Sequence, residues 1–271
     1  MRKRLGAAVA MGLAVALVVP SAAMASGDQN LRAGFAKKKT KSFGDPSVPF
    51  PFPTFGTAQP SKKKGTLGVE VSITNIVGDA PAANIARIHM PEEVKFTTKK
   101  IRRVDPAALA GLDPVTANQV GGKSKVGQGG ARALGLGGVG PVSGFNGTKS
   151  VAGSAQGIQG GQPTIVLHSF AANVPIVLVG ELQNSPLGPP YGKVLHVPVS
   201  TDVGGGVPPG IVIDLFNTTV SKTTKIKKKK KKKKKQYVAV KKCGDGVLSW
   251  QAEFTYANAP PQSPVFEQPC G

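Results

Sequence analysis

The most distinctive chemistry in the sequence is a run of nine consecutive lysines at residues 227–235. The surrounding segment 222–242 holds 13 lysines and no acidic residue. Closely spaced ammonium groups attract anionic cell-wall polymers or acidic polysaccharides, with an affinity that falls as salt rises. Two interpretations stay open, a polyanion-binding surface and a low-complexity loop that is only solvated. The candidate polyanion-binding residues are Lys227, Lys228, Lys229, Lys230, Lys231, Lys232, Lys233, Lys234 and Lys235.

Groups that could act as catalytic acids, bases or nucleophiles are scattered along the chain. The three histidines fall on different predicted strands: His89, His168 and His196. We expect His196 on a polar, solvent-facing strand side, opposite Leu195 and Val197. A glycosidase needs two opposed carboxylates, and nothing in the sequence pairs Glu181, Asp202 or Asp214. The sequence therefore predicts no catalytic residues and no enzyme activity, although pairing across strands is invisible in one sequence.

A dinucleotide-binding fingerprint, Gly-x-Gly-x-x-Gly, is matched at residues 135–140. That site needs a helix directly after the glycines and an acidic residue about 20 positions later. Here Pro141 follows at once, and the next acidic residue is Glu181. We therefore expect no nucleotide cofactor.

The first 25 residues have the layout of a secretory signal peptide. Basic residues 2–4 precede a short apolar stretch from Ala7 to Val19, and residues 23–25 form a small-x-small cleavage site. We expect cleavage between Ala25 and Ser26. The apolar stretch is shorter than the roughly 20 residues that span a membrane, which disfavours an uncleaved anchor. The sequence predicts a secreted protein, extracellular or associated with the cell wall, with no transmembrane segment after cleavage.

Export would place Cys243 and Cys270, the only two cysteines of the sequence, in an oxidising environment. Outside the reducing cytosol, a single disulfide between them is the expected state. A structural zinc site takes four ligands, and neither cysteine has a neighbouring histidine. We therefore predict a disulfide and no metal site.

Three regions are predicted: a signal peptide at 1–25, a disordered Lys/Pro-rich tether at 26–65, and one domain at 66–271 with a Lys-rich loop at 222–242. The tether prediction rests on two lysine clusters around a Pro/Phe segment that cannot continue a helix. The formal charge of +21 lies almost wholly in the signal peptide, the tether and the Lys-rich loop, so the rest of the domain is close to neutral. This distribution differs from the basic surface of a nucleic-acid-binding domain.

The domain has the period-two hydrophobic pattern of β-strands. Leu67, Val69, Val71 and Ile73 alternate with small or polar residues, and the segment 247–256 alternates in the same way. The pattern predicts strands at 67–74, 85–90, 164–170, 175–182, 194–199, 211–216, 237–240 and 247–256. Short strands between Gly/Pro turns indicate an all-β, antiparallel β-sandwich, immunoglobulin-like or jelly-roll-like.

Other local features complete the prediction. One short helix is expected after Asp105-Pro106, because Asp caps a helix and Pro suits its first position. A long Gly-rich loop with one weak strand is expected at 121–161. The lysine run is expected at the tip of a hairpin.

Several segments together resemble a family of secreted β-rich proteins of unknown function from high-GC Gram-positive bacteria. The resemblance covers most of residues 66–271 and implies an extracellular β-rich domain without adding an activity. The segments that carry it are MPEEVKFTTKKI from Met90, GKSKVGQG from Gly122, FNGTKS from Phe145, PTIVLHSF from Pro163, PIVLVGEL from Pro175, GKVLHVPVS from Gly192 and CGDGVLSWQAEFTYAN from Cys243.

These observations favour a secreted, non-enzymatic protein of the cell envelope or extracellular matrix that binds anionic polymers through its Lys-rich segments. The alternative is a polysaccharide-binding module or a β-sandwich hydrolase, which needs exposed aromatics or facing carboxylates. Trp250 is expected in the core, and Tyr191 is the better exposed aromatic candidate. A third hypothesis, an interaction domain for another secreted protein, needs a large exposed apolar patch.

Overall fold

The computed structural model describes residues 26–35, 55, 57–60, 66–77, 81–134, 139–171, 174–208, 211–228 and 231–271. The predicted signal peptide and most of the predicted tether lie outside these residues. The described residues contain one α-helix, α1 (Pro114–Gly121). The strands are β1 (Ser26–Phe35), β2 (Leu67–Val77), β3 (Ala83–Pro91), β4 (Val94–Phe96), β5 (Lys125–Ala133), β6 (Gly140–Lys149), β7 (Pro163–Ala171), β8 (Val174–Asn184), β9 (Tyr191–Pro198), β10 (Ile213–Val220), β11 (Thr223–Lys228), β12 (Lys231–Gln236), β13 (Val238–Val240), β14 (Val247–Tyr256) and β15 (Val265–Pro269).

Eleven strands form one antiparallel sheet in the order β1-β2-β10-β5-β6-β7-β8-β9-β3-β14-β15. Two small antiparallel pairs, β11 with β12 and β4 with β13, stand beside it. The predicted all-β, antiparallel class is confirmed. Strand β14 shows why the pattern was informative, because Trp250, Ala252 and Phe254 alternate with more exposed residues and are all buried.

The sheet curls until its first and last strands meet, and two glutamine side chains bridge the seam. Phe35 donates its N–H to Gln268 Oε1 over 2.8 Å, and Gln268 Nε2 donates back to the Phe35 carbonyl over 2.9 Å. Gln262 does the same further along β1: it accepts from the Gln29 N–H and donates to the Gly27 carbonyl, each over 2.7 Å. Each side-chain amide thus acts as the backbone of a missing strand and gives the free edge of β1 its partners.

The curled sheet encloses the main hydrophobic core, to which most of its strands contribute. A smaller core lies on the opposite face, where α1 and the segment before it cover β6 and β7. Its buried members are Val104, Leu109, Ala117, Phe145 and Val166. The sheet is therefore buried on both faces at β6 and β7, which explains the nearly continuous burial along β6.

The expectation of a long Gly-rich loop at 121–161 was wrong, because this segment contains two long strands, β5 and β6. Glycine has a low strand propensity and was interpreted as a loop signal. Its role here is close approach between backbones. A Cβ atom on Gly129 would lie 1.8 Å from the carbonyl oxygen of Asn217 on β10.

The predicted helix after Asp105 is a short 3-10 helix, Pro106–Leu109, in which Asp105 accepts from the Ala107 N–H as expected of a cap. The longer helix, α1, follows the same Asp-Pro signal eight residues later, at Asp113-Pro114. Asp113 accepts from the N–H groups of Val115 and Thr116, 2.8 and 3.1 Å away. Both Asp-Pro pairs therefore begin a helix, and the second one begins the longer helix.

The start of the predicted tether also differs from expectation. Residues 26–35 form β1, which pairs with β2 along almost its whole length. Leu31, Ala33 and Phe35 alternate along β1 and are buried in the main core. Three apolar residues in ten made too weak a pattern to predict a strand. Ser26, the residue after the predicted cleavage site, begins β1, whereas Ala25 lies outside the described residues.

Candidate functional site

The lysine run forms a two-stranded antiparallel hairpin, β11 and β12, which we call the lysine hairpin (residues 223–236). Eight of its twelve paired residues are lysines. Lys227, Lys228 and Lys231–Lys235 lie in the two strands, while Lys229 and Lys230 lie outside the described residues. The predicted hairpin is confirmed at the level of backbone pairing.

The strand register sets lysine opposite lysine in three of the six pairs. These pairs are Lys225 with Lys234, Lys227 with Lys232, and Lys228 with Lys231. Like charges directly opposite each other on neighbouring strands are destabilising. The hairpin therefore concentrates positive charge, and it contains no acidic residue that would offset this charge.

The base of the hairpin is fixed to the domain. Tyr237 follows β12 and is fully buried, and its N–H donates to the Lys222 carbonyl over 2.7 Å. Its own carbonyl accepts from the Thr97 N–H at the same distance, and its ring packs edge-on against Phe96, 5.9 Å between centroids. These contacts attach the base of the hairpin to the domain. Burial also raises the pKa of the Tyr237 hydroxyl.

More lysines continue the positive charge beyond the hairpin. The ammonium group of Lys222 donates a hydrogen bond to the Lys123 carbonyl over 2.6 Å. Burial lowers the pKa of Lys222. Lys95, on the β4–β13 pair beneath the hairpin, is exposed, as are Lys241 and Lys242. Lysines therefore also lie on the segments that adjoin the base of the hairpin.

Cys243 and Cys270 form the predicted disulfide, with Cα atoms 5.5 Å apart. The bond joins the chain before β14 to the chain after β15. The Cys270 N–H also donates to the Gly246 carbonyl over 2.7 Å. The disulfide closes the open end of the hairpin formed by β14 and β15.

A row of polar side chains crosses the face of the sheet opposite the main core, one from each of five adjacent strands. The register sets each one directly opposite the next. From β7 to β14, the row is Thr164, Glu181, His196, Arg87 and Glu253. The sequence placed some of these residues on polar strand faces, but it gave no register between strands and so could not bring them together.

Glu181 holds the loop that follows β6. Its Oε1 accepts from the Ser150 hydroxyl and from the Gly160 N–H, and its Oε2 accepts from the Gln159 N–H and the Gln183 amide. The two backbone bonds measure 2.9 Å. Burial raises the pKa of Glu181, but these four hydrogen bonds lower it by more, so the carboxyl stays ionised. With both oxygens occupied by loop donors, Glu181 serves the structure.

The expectation that His196 faces solvent was wrong, because the loop at 150–162 covers it and leaves it 2% exposed. Arg87 Nε donates to His196 Nδ1 over 3.2 Å, so the ring proton sits on Nε2, which donates to the Gln156 carbonyl over 2.8 Å. Burial lowers the pKa of His196. The ring is a neutral crosslink between sheet and loop.

The other two histidines are also buried. His168 Nε2 donates to the Leu112 carbonyl over 2.9 Å and ties β7 to the segment before α1. His89 lies 2.9 Å from the Ser185 hydroxyl through Nδ1 and 3.3 Å from Glu253 Oε2 through Nε2. Burial lowers the pKa of both rings. His89 and Glu253 are thus brought together by the fold, a pairing that the sequence did not reveal.

The three carboxylates considered for catalysis lie in separate structural contacts. Asp214 Oδ2 lies 2.7 Å from Arg132 Nη2, and Asp202 accepts from the Ser200 hydroxyl over 3.2 Å at the start of a 3-10 helix. Glu181 binds its loop. Trp250 is buried in the core as expected, and Tyr191 is half-buried, its ring 5.8 Å from that of His89.

The described residues lack two further features. Within them, no three residues among histidine, cysteine, aspartate and glutamate group closely enough to hold a metal ion. Among the helices of the same part of the chain, none is long and apolar enough to cross a membrane. No protein-family model, curated protein or solved structure matches the chain.

Proposed function

We propose that this chain is a secreted, non-enzymatic protein of the cell envelope or extracellular matrix that binds anionic polymers through the lysine hairpin. The observation that carries the proposal is the register of β11 and β12, which sets lysines opposite one another. Anionic cell-wall polymers and acidic polysaccharides are the partners whose chemistry fits.

Electrostatic repulsion between the paired lysines supports the proposal. Two unit charges about 5 Å apart repel by about 0.8 kcal/mol in water, and several such pairs add up along the hairpin. A flexible polyanion places negative charge beside many lysines at once and releases their counterions. Binding thus removes the repulsion that the paired strands carry when alone.

The charge distribution in the rest of the domain also supports the proposal. Outside the lysine-rich segments the formal charge nearly cancels. The buried Tyr237 joins the hairpin to the domain at its base through its backbone hydrogen bonds. A near-neutral domain that presents a charged hairpin suits attachment to a polymer network.

The immunoglobulin-like or jelly-roll-like sandwich stays a prediction. The observed antiparallel sheet is a single sheet that curls until it is nearly closed. A polysaccharide-binding module or a hydrolase likewise stays the alternative function. Of the aromatics considered for a sugar platform, Trp250 is buried and Tyr191 is half-buried. That arrangement favours the polyanion proposal.

The proposal is tested by removing charge without shortening the hairpin. The variant carries Lys→Gln at residues 227, 229, 231, 233 and 235, and binding to poly(glycerol phosphate) and polygalacturonate is measured by titration calorimetry. Five lost ion contacts should weaken binding by about 100-fold at low salt. The slope of log affinity against log salt should become less steep.

Two matched variants control for other causes. Lys→Arg at the same five residues keeps the charge and should bind like the original chain. Lys→Gln at residues 37, 38, 39, 62 and 63 removes equal charge elsewhere and should weaken binding far less. If all three variants bind equally, or if affinity does not respond to salt, the lysine hairpin is not the binding site.

A further inference from the structure

The interior of the curled sheet contains an apolar cavity of about 130 Å³. Strands from both halves of the sheet line it, including β2, β3, β7, β8, β9 and β10. Representative lining side chains are Val69, Ile88, Leu167, Leu178, Val197 and Phe216. Protein interiors are close-packed, and voids much larger than a water molecule are few. A space of this size on regular strands therefore calls for an explanation.

The strand pattern accounts for the space. Ala86 points into the cavity from β3, where the register sets it between Val197 of β9 and Phe254 of β14. A larger residue is the usual choice at a central inward position of a sheet. The methyl group of Ala86 leaves room that neither neighbour fills.

One polar group in the lining lacks a protein partner. Thr218 on β10 lines the cavity and is 6% exposed, and its Oγ1 is buried without a hydrogen-bond partner. A buried hydroxyl without a partner costs free energy that one hydrogen bond recovers. A ligand group that accepts from or donates to this hydroxyl would supply that bond.

We propose that this cavity binds a small, mainly apolar molecule that carries a single polar group, such as a substituted aromatic alcohol. The volume fits this class, because an engineered cavity of about 150 Å³ in another protein takes up benzene. The apolar lining supplies the affinity, and the hydroxyl of Thr218 orients the polar end of the ligand. This site is separate from the lysine hairpin, so either proposal can fail alone.

The first test uses the full chain with ¹³C-labelled Val, Leu and Ile methyl groups, titrated with toluene and with benzyl alcohol. Methyl resonances of Val69, Ile88 and Leu178 should shift and saturate. Those of Val115 and Val151, which are 66% and 70% exposed, should not move. No saturable shift up to the solubility limit, or shifts confined to exposed methyls, would overturn the proposal.

The second test uses variants. Thr218→Val keeps the shape and removes the hydroxyl, so benzyl alcohol should bind about fivefold more weakly while toluene binding is unchanged or stronger. Ala86→Leu should fill the cavity and weaken toluene binding at least about tenfold, whereas Ala108→Leu, at an exposed site, should have no effect. Full toluene binding by folded Ala86→Leu would contradict the site. Should Ala86→Leu not fold, the methyl shifts and Thr218→Val still decide the question.

Discussion

At the scale of single residues, two of the three buried histidines, His168 and His196, join the sheet to the segments that cover it. His168 and His196 each donate a hydrogen bond from Nε2 to a backbone carbonyl, and His196 also accepts one from Arg87. A second ring proton on His196 would face the Arg87 N–H group, so the protonated form loses that bond. These rings are therefore neutral structural crosslinks whose contribution depends on pH.

We predict that the free energy of unfolding falls as pH falls below about 6.5, the ordinary histidine value. Burial lowers the pKa of His89, His168 and His196, so the unfolded chain binds protons in this window that the native chain does not. Stability is then full above about pH 6.5 and should drop by about 1 kcal/mol or more at about pH 5. Urea unfolding at the two pH values measures the drop.

The control keeps the Nε2 donor and removes the titration. The double variant His168→Gln with His196→Gln should show a smaller drop, because glutamine donates from a similar position without binding a proton. Glu181 faces His196 and Glu253 faces His89. Burial raises the pKa of Glu181, but its hydrogen bonds lower it by more, so that carboxyl stays ionised across this pH window. Equal stability at both pH values in the unmodified chain would contradict the neutral assignment.

At the scale of elements, the seam between β1 and β15 depends on side chains. Gln268 is buried and satisfies both the N–H and the carbonyl of Phe35. Gly34 makes room for it, because a Cβ atom on Gly34 would lie 2.5 Å from Gln268 Oε1. The seam thus requires a long amide on one strand and no side chain on the other.

We predict that Gln268→Ala lowers the free energy of unfolding by about 2 to 4 kcal/mol, because it leaves two buried backbone groups without partners. Gly34→Ala should also be destabilising, through the clash with the amide. The double variant should cost clearly less than the sum of the two, since alanine at residue 268 removes the clashing atoms. Denaturant unfolding of all four chains gives this coupling, and strict additivity would argue against the seam as described.

At the scale of the whole molecule, the strands were predictable where large apolar residues alternate. The pattern found β2 and β14 because Leu67, Ile73, Trp250 and Phe254 are bulky and regularly spaced. It missed β1, β5 and β6, because their small residues leave little periodic signal. Pairing with neighbouring backbones determines that these segments form strands, and the local sequence does not contain that information.

The candidate site was predictable only in part, for a related reason. The nine-lysine run and the cysteine pair are visible in the sequence, and the backbone pairing of the lysine hairpin and the disulfide agree with the predictions. The lysine pairing, the polar row from Thr164 to Glu253 and the interior cavity depend on register between strands. A single sequence gives the face of each residue but not its neighbour across the sheet.

We propose that the near-neutral domain supports a self-repelling hairpin that an anionic polymer stabilises. Hydrogen exchange of the hairpin amides, residues 223–236, tests this most directly, with and without poly(glycerol phosphate) at low and at high salt. We predict slower exchange in the hairpin when the polymer is present at low salt, with loss of this protection at high salt and no change in β14. Hairpin exchange that is unaltered by the polymer, or protection that persists at high salt, would contradict it.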